Sequence, residues 1–125
     1  MQENQSDEAL FRPLEVHLSQ DRRELALHYA GGVKRLLQAE YLRVESPSAE
    51  VRGHHPSERK IVAGKKTVRI EGIEPVGTYA LRLTFSDGHD TGFYSWAFLA
   101  ELADQHDRLW PAYLEALAQK GLSRD

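Results

Sequence analysis

Hydrophobic and polar residues alternate with a period of two in three parts of this 125-residue chain, and that period belongs to half-buried strands. In the first part Leu14, Val16 and Leu18 interleave with Glu15, His17 and Ser19; after the polar loop Gln20-Asp21-Arg22-Arg23, Leu25, Leu27 and Tyr29 resume the alternation. Such a loop sets Ser19 opposite Glu24, Leu18 opposite Leu25, Val16 opposite Leu27 and Glu15 opposite His28. Apolar then meets apolar, and a slip of one residue would turn the whole set outward. In the second part Val68 and Ile70 alternate with Arg69 and Glu71 in a strand over 67–74, which Pro75-Val76-Gly77 turns into the third. There Tyr79, Leu81, Leu83 and Phe85 alternate with Ala80, Arg82, Thr84 and Ser86. Asp87-Gly88 predicts a tight turn, because glycine accepts positive φ without steric penalty, and residues 91–94 run back alongside.

Helical signals follow. Ser95 offers a side-chain oxygen to the orphan N–H groups of a helix that starts at Trp96 and runs to Ala103. The polar run 104–107 breaks it, Pro111 suits the first turn of a second helix, and Trp110, Tyr113, Leu114 and Leu117 form an apolar stripe that ends at Gly121. Residues 33–41 read two ways: as a helix throughout, or as a strand through Lys34-Arg35-Leu36-Leu37 with a short helix beginning near Gln38. Ser46, held out of helical geometry by Pro47, opens a capped turn over 46–50, and residues 53–60 form a polar surface loop. The pattern predicts an α+β fold: a small antiparallel sheet of about five strands with the C-terminal helices packed on one face. Its expected core comprises Val16, Leu18, Leu25, Leu27, Val68, Ile70, Leu81, Leu83, Phe85, Leu99 and Leu114. Residues 1–12 read as a disordered arm, 13–121 as one domain and 122–125 as a tail.

Composition narrows the function classes. The 16 Lys and Arg against 19 Asp and Glu leave a net charge of −3, so no global field recruits nucleic acid or an anionic membrane. There are no cysteines, which excludes disulfides, thiolate nucleophiles and sulfur-based metal sites, and suits a reducing cytoplasm. The first eleven residues are acidic and polar, unlike a signal peptide. No apolar run approaches the ~18–20 residues that span a bilayer. The expectation is a soluble, cytoplasmic protein.

Candidate chemistry is sparse. His54 and His55 are possible metal ligands, yet neighbours in an extended loop point to opposite sides, and solvated loop histidines are the plainer reading. His89 lies in the turn with Asp87 and Asp90 close by, either as a ligand or as a residue that hydrogen-bonds the turn. Asp87 and Asp90 could act as an acid–base pair only in a cleft that raises one pKa. Ser46 and Ser48 lack a nucleophile-elbow setting. Lys65, Lys66, Arg69 and Arg82 form at most a small basic strip, read as solvated. Trp96, Trp110 and Tyr113 read as core, although an exposed tryptophan would mark a partner surface.

Two stretches, YLRVESPSAEVRGH (41–54) and LTFSDGHDTGFYSWAFLAEL (83–102), together with the strand between them, resemble the gamma-butyrobetaine hydroxylase-like N-terminal domain, a former domain of unknown function. The resemblance extends over about residues 13–118 and includes short stand-alone bacterial proteins. In carnitine-synthesis hydroxylases this domain precedes a separate catalytic domain that holds iron and 2-oxoglutarate, and it also occurs fused to iron–sulfur-carrier ATPases of the Mrp type. The hydroxylase domain carries a zinc site of three cysteines and a histidine. The resemblance places Ser46, Ser48 and Val51 where those cysteines stand and retains the histidine as His89, one ligand of four. It therefore implies the fold without its cofactor, and the chain has no His-x-Asp iron motif.

The expected function is a non-enzymatic binding or adaptor domain with a protein partner, serving iron–sulfur or metallocofactor protein maturation. No cofactor, nucleic acid or membrane is expected. One alternative is a metal-binding protein, or small enzyme, that holds zinc or iron through His89 with Asp87 or Asp90 and a loop histidine. The other is an accessory subunit of a separately encoded 2-oxoglutarate oxygenase.

Overall fold

The N-terminal alternation folds in the register that its apolar residues require. In the computed structural model, which describes residues 11–48 and 60–125, β1 (Glu15–Leu18) pairs antiparallel with β2 (Glu24–His28), with Val16 opposite Leu27 and Leu18 opposite Leu25. Ser19 closes the loop: its hydroxyl accepts from the amides of Arg23 (3.2 Å) and Glu24 (3.0 Å) and donates to Asp21 Oδ1 (2.6 Å). The ambiguous segment resolves as a strand, β3 (Lys34–Gln38), then a short helix, α1 (Ala39–Val44). Pairing explains the choice. β3 sets Leu37 opposite Leu25, so both leucines enter the core, and β2 gains hydrogen bonds along both edges. All of α1 is buried. Because β1 is an edge strand, Val16 and Leu18 flank the core half-buried, whereas Leu25 and Leu27 are fully enclosed.

The second half forms a sheet of its own. β4 (Ile70–Val76), β5 (Ala80–Phe85) and β6 (Gly92–Ser95) pair antiparallel in that order. The described residues thus hold six strands in two three-stranded sheets, where the sequence pattern predicts one sheet of about five. Each sheet has one apolar face, and the two faces cover each other. Leu25, Leu27 and Leu37 meet Ile70, Leu81, Leu83 and Phe85 in one core, completed by Tyr41, Leu42, Tyr94, Trp96, Leu99 and Leu102. The Ile70 amide donates to the Arg22 carbonyl (2.8 Å), tying the sheets together.

Several boundaries differ from the expected ones. β4 begins at Ile70, with a register irregularity between Ile70 and Gly72, and runs through Pro75 into a turn at 77–79. Proline is tolerated because β4 is an edge strand. Tyr79 belongs to that turn and is 53% exposed, so the inward alternation starts with Leu81. Helix α2 (Trp96–Asp104) is capped by Ser95, whose hydroxyl accepts from the Phe98 amide (3.1 Å). Helix α3 (His106–Gln119) starts five residues before Pro111, which therefore lies inside it. Its inward line is Trp110, Tyr113 and Leu117; Leu114, expected in the core, is rotated about 100° from Tyr113 and remains exposed. Gly121, with φ 65°, ends the helix as the Leu122 amide returns to the Leu117 carbonyl (2.9 Å). The tail then runs beside residues 64–66, where the Ser123 and Arg124 carbonyls accept from the amides of Gly64 and Lys66. Among the described residues, no helix is long and apolar enough to cross a membrane.

Candidate functional site

The β5–β6 turn carries the densest polar chemistry. The Phe85 amide donates to the His89 carbonyl and the Gly88 amide to the Phe85 carbonyl, both at 2.9 Å, with Gly88 at φ 92° as the turn demands. This geometry directs the His89 ring inward, where it is 6% exposed, with Nε2 3.0 Å from the Ser46 hydroxyl oxygen. Ser46 Oγ also accepts from the Ser48 amide (3.2 Å), and the Ser48 hydroxyl shares a hydrogen bond with Thr91 Oγ1 (2.8 Å). A short seam of hydroxyls thus joins the segment after α1 to the end of the turn. Gly92 permits the close approach: a Cβ there would lie 3.0 Å from Ser46 Oγ and 2.7 Å from Tyr94 Cε1. Below it the Tyr94 hydroxyl donates to the Leu42 carbonyl (2.5 Å).

Asp87 is the electrostatic hub. One carboxylate oxygen accepts from the His89 amide (3.0 Å), and the other accepts from Arg43 Nε (2.8 Å) and lies 2.6 Å from Lys65 Nζ. Burial is the strongest single influence on this carboxyl and opposes its ionisation, but the bonds from Lys65, the His89 amide and Arg43 together outweigh it and hold the pKa at about 2. Such a group is charged at neutral pH and held by three donors. It anchors the turn and is the wrong kind of carboxylate for a general acid or base.

Asp90 does not join it. Its carboxylate pairs with Arg82 Nη2 (3.1 Å), whose Nη1 reaches Glu74 (3.0 Å), so the two aspartates serve different cations. The basic residues read as a solvated strip are each ion-paired: Lys65 to Asp87, Lys66 to Asp125, Arg69 to Glu71, and Arg82 to Glu74 and Asp90. His54, His55 and Val51 lie outside the described residues. Of the positions implied by the resemblance, Ser46, Ser48 and His89 converge, and their donor chemistry can be tested. Two hydroxyls and one imidazole do not fit a structural zinc ion, which takes thiolates and imidazoles in a closed tetrahedron. No group of three His, Asp or Glu side chains suited to a metal ion occurs among the described residues. The sequence pattern did not foresee Arg43 and Lys65 on Asp87, or Thr91 on Ser48; each joins segments more than twenty residues apart.

Comparison with known proteins supplies the context. The family model described as "Gamma-butyrobetaine hydroxylase-like, N-terminal" matches residues 16–100. A comparison with curated proteins gives no match. Among solved structures, one determined by NMR in solution is 46% identical, with a TM-score of 0.77, covering 91% of this chain and 90% of the other. A second NMR structure is 43% identical, with a TM-score of 0.76 and coverage of 90% and 84%. A crystal structure of a protein of unknown function from Acidithiobacillus ferrooxidans, of the DUF971 family, is 38% identical, with a TM-score of 0.62 and coverage of 74% and 93%.

Proposed function

The chain belongs to the gamma-butyrobetaine hydroxylase-like N-terminal family, and from that premise we propose that it is a non-enzymatic binding or adaptor domain that engages a protein partner in iron–sulfur or metallocofactor protein maturation. One observation carries the non-enzymatic part: Asp87, the most perturbed acid of the candidate site, is held ionised by Arg43, Lys65 and the His89 amide. A carboxylate so placed braces the turn, and a pKa held at about 2 makes it a poor acceptor of a reacting proton at neutral pH. The resemblance to domains fused with iron–sulfur carriers supports the choice of pathway. Two aromatics support a partner surface: Tyr79, in the turn before β5, and Phe93, on β6, are each 53% exposed, and aromatic side chains concentrate at contact hot spots.

Affinity capture from native cytoplasm, read by mass spectrometry, tests the proposal. Wild-type protein is expected to retain iron–sulfur assembly factors that the double variant Tyr79→Ser, Phe93→Ser releases. Retention of a 2-oxoglutarate oxygenase instead would move the domain to the accessory-subunit reading. Capture that is the same for both proteins would overturn the assignment of this surface.

A further inference from the structure

A second concavity, whose lining includes neither His89 nor Asp87, lies where β3, α1, α3 and the tail meet, with a volume of about 430 Å³. That is the size of a small-molecule site. Its apolar wall is Tyr41, Val68 and Trp110. The wall is braced: the His106 ring lies nearly parallel to Trp110 (12°, centroids 6.3 Å apart), and the Arg124 guanidinium stands 5.4 Å from the indole centroid.

The polar lining is unbalanced. Arg23, Lys66 and Arg124 face one carboxylate, Glu40. Arg124 and Glu40 satisfy each other in a two-pronged pair (2.9 and 2.7 Å), with the Glu40 side chain only 8% exposed. This leaves Arg23, whose guanidinium makes no close ion pair or hydrogen bond among the described residues and feels Asp21 only at longer range, and Lys66, held only by an exposed Asp125 at 3.7 Å. The Trp110 indole N–H likewise makes no hydrogen bond among the described residues. The cleft thus offers one guanidinium without a close partner and one loosely paired ammonium above an apolar wall, while both oxygens of its acid are already taken.

We propose that this cleft binds a small organic anion: a carboxylate or phosphate head group, received by Arg23 and Lys66, on an apolar body that lies against Tyr41, Val68 and Trp110. Guanidinium and ammonium groups suit either head group. The inference is independent of the adaptor reading.

Titration of ¹⁵N-labelled protein with benzoate and with phenylphosphate tests it, read at the Trp110 indole N–H and assigned with Trp110→Phe. Saturable shifts are expected for at least one of the two, with a Kd of about 1 mM or lower, and whichever responds identifies the head group. Arg23→Gln and Lys66→Gln should each weaken binding about tenfold while the remaining amide resonances stay in place; these side chains are exposed, so the fold is preserved. The proposal is overturned by any of three results: no saturation with either anion, benzyl alcohol binding as well as benzoate, or inorganic phosphate binding as well as phenylphosphate. Unchanged affinity in both cation variants would overturn it too.

Discussion

Replacing Asp87 with asparagine removes one charge from the centre of the turn and keeps its shape and its accepting oxygen. The carboxyl pKa falls from 3.8 to about 2 on folding. At about 1.36 kcal/mol per unit, that difference amounts to roughly 2 kcal/mol of stability at neutral pH. The side chain is 19% exposed and its Arg43 partner 9%, so solvent screening removes little of it. The sign follows from the direction of the shift. A depressed folded pKa stabilises above the unfolded value of 3.8 and loses that contribution as pH falls toward 2; at pH 3 about half of it should remain. A further cost is expected at every pH, because Arg43 is buried and its Nη1 already lacks a hydrogen-bond partner among the described residues, leaving the guanidinium under-compensated. Urea denaturation of wild type and Asp87→Asn between pH 3 and 7 measures both. The expected result is a loss of about 2–4 kcal/mol at pH 7 that shrinks by about 1 kcal/mol at pH 3. A loss below about 0.5 kcal/mol, the scale of an exposed ion pair, or a difference independent of pH, would refute the view of Asp87 as a buried hub.

Other expectations follow from packing and donor chemistry. Leu83 is fully enclosed between the sheets, so Leu83→Ala should cost about 2–5 kcal/mol in chemical denaturation; a loss below about 1 kcal/mol would show that the β5 face is misplaced. Gly92→Ala forces a methyl to within 2.7 Å of the Tyr94 ring, which cannot swing aside while its hydroxyl is bonded to Leu42. A net loss of about 1–3 kcal/mol is expected, and stabilisation of the kind Gly→Ala gives at unstrained sites would contradict the close approach. The protein purified without a metal-chelating tag should carry no stoichiometric zinc or iron, given serines where related domains have thiolates. Elemental analysis finding near one equivalent, lost in His89→Ala, would promote the metal-binding reading over the adaptor.

What the sequence determined by itself is local. The register of β1 against β2, the glycine turn at Gly88 and the Ser95 cap each depend on residues within 13 positions of one another, where alternation and turn chemistry act directly. The same signals pointed to His89 and Asp87 as the residues worth weighing. Periodicity alone was weaker where two faces compete: it turned Leu114 inward with Tyr113, although only the line Trp110–Tyr113–Leu117 reaches the second apolar cluster. It also put Tyr79 with the inward leucines, although the turn at Gly77 ends the pleat before that residue. The tertiary structure decided the partners. Leu37 entered the core, and its segment became a strand, because β2 had a free edge to pair with. Ser46 met His89 across 43 positions and Arg43 met Asp87 across 44, while Glu40 met Arg124 across 84. No spacing rule links such residues, because their separation is set by how two sheets stack over a shared core, and that arrangement exists only once every apolar face has found its cover.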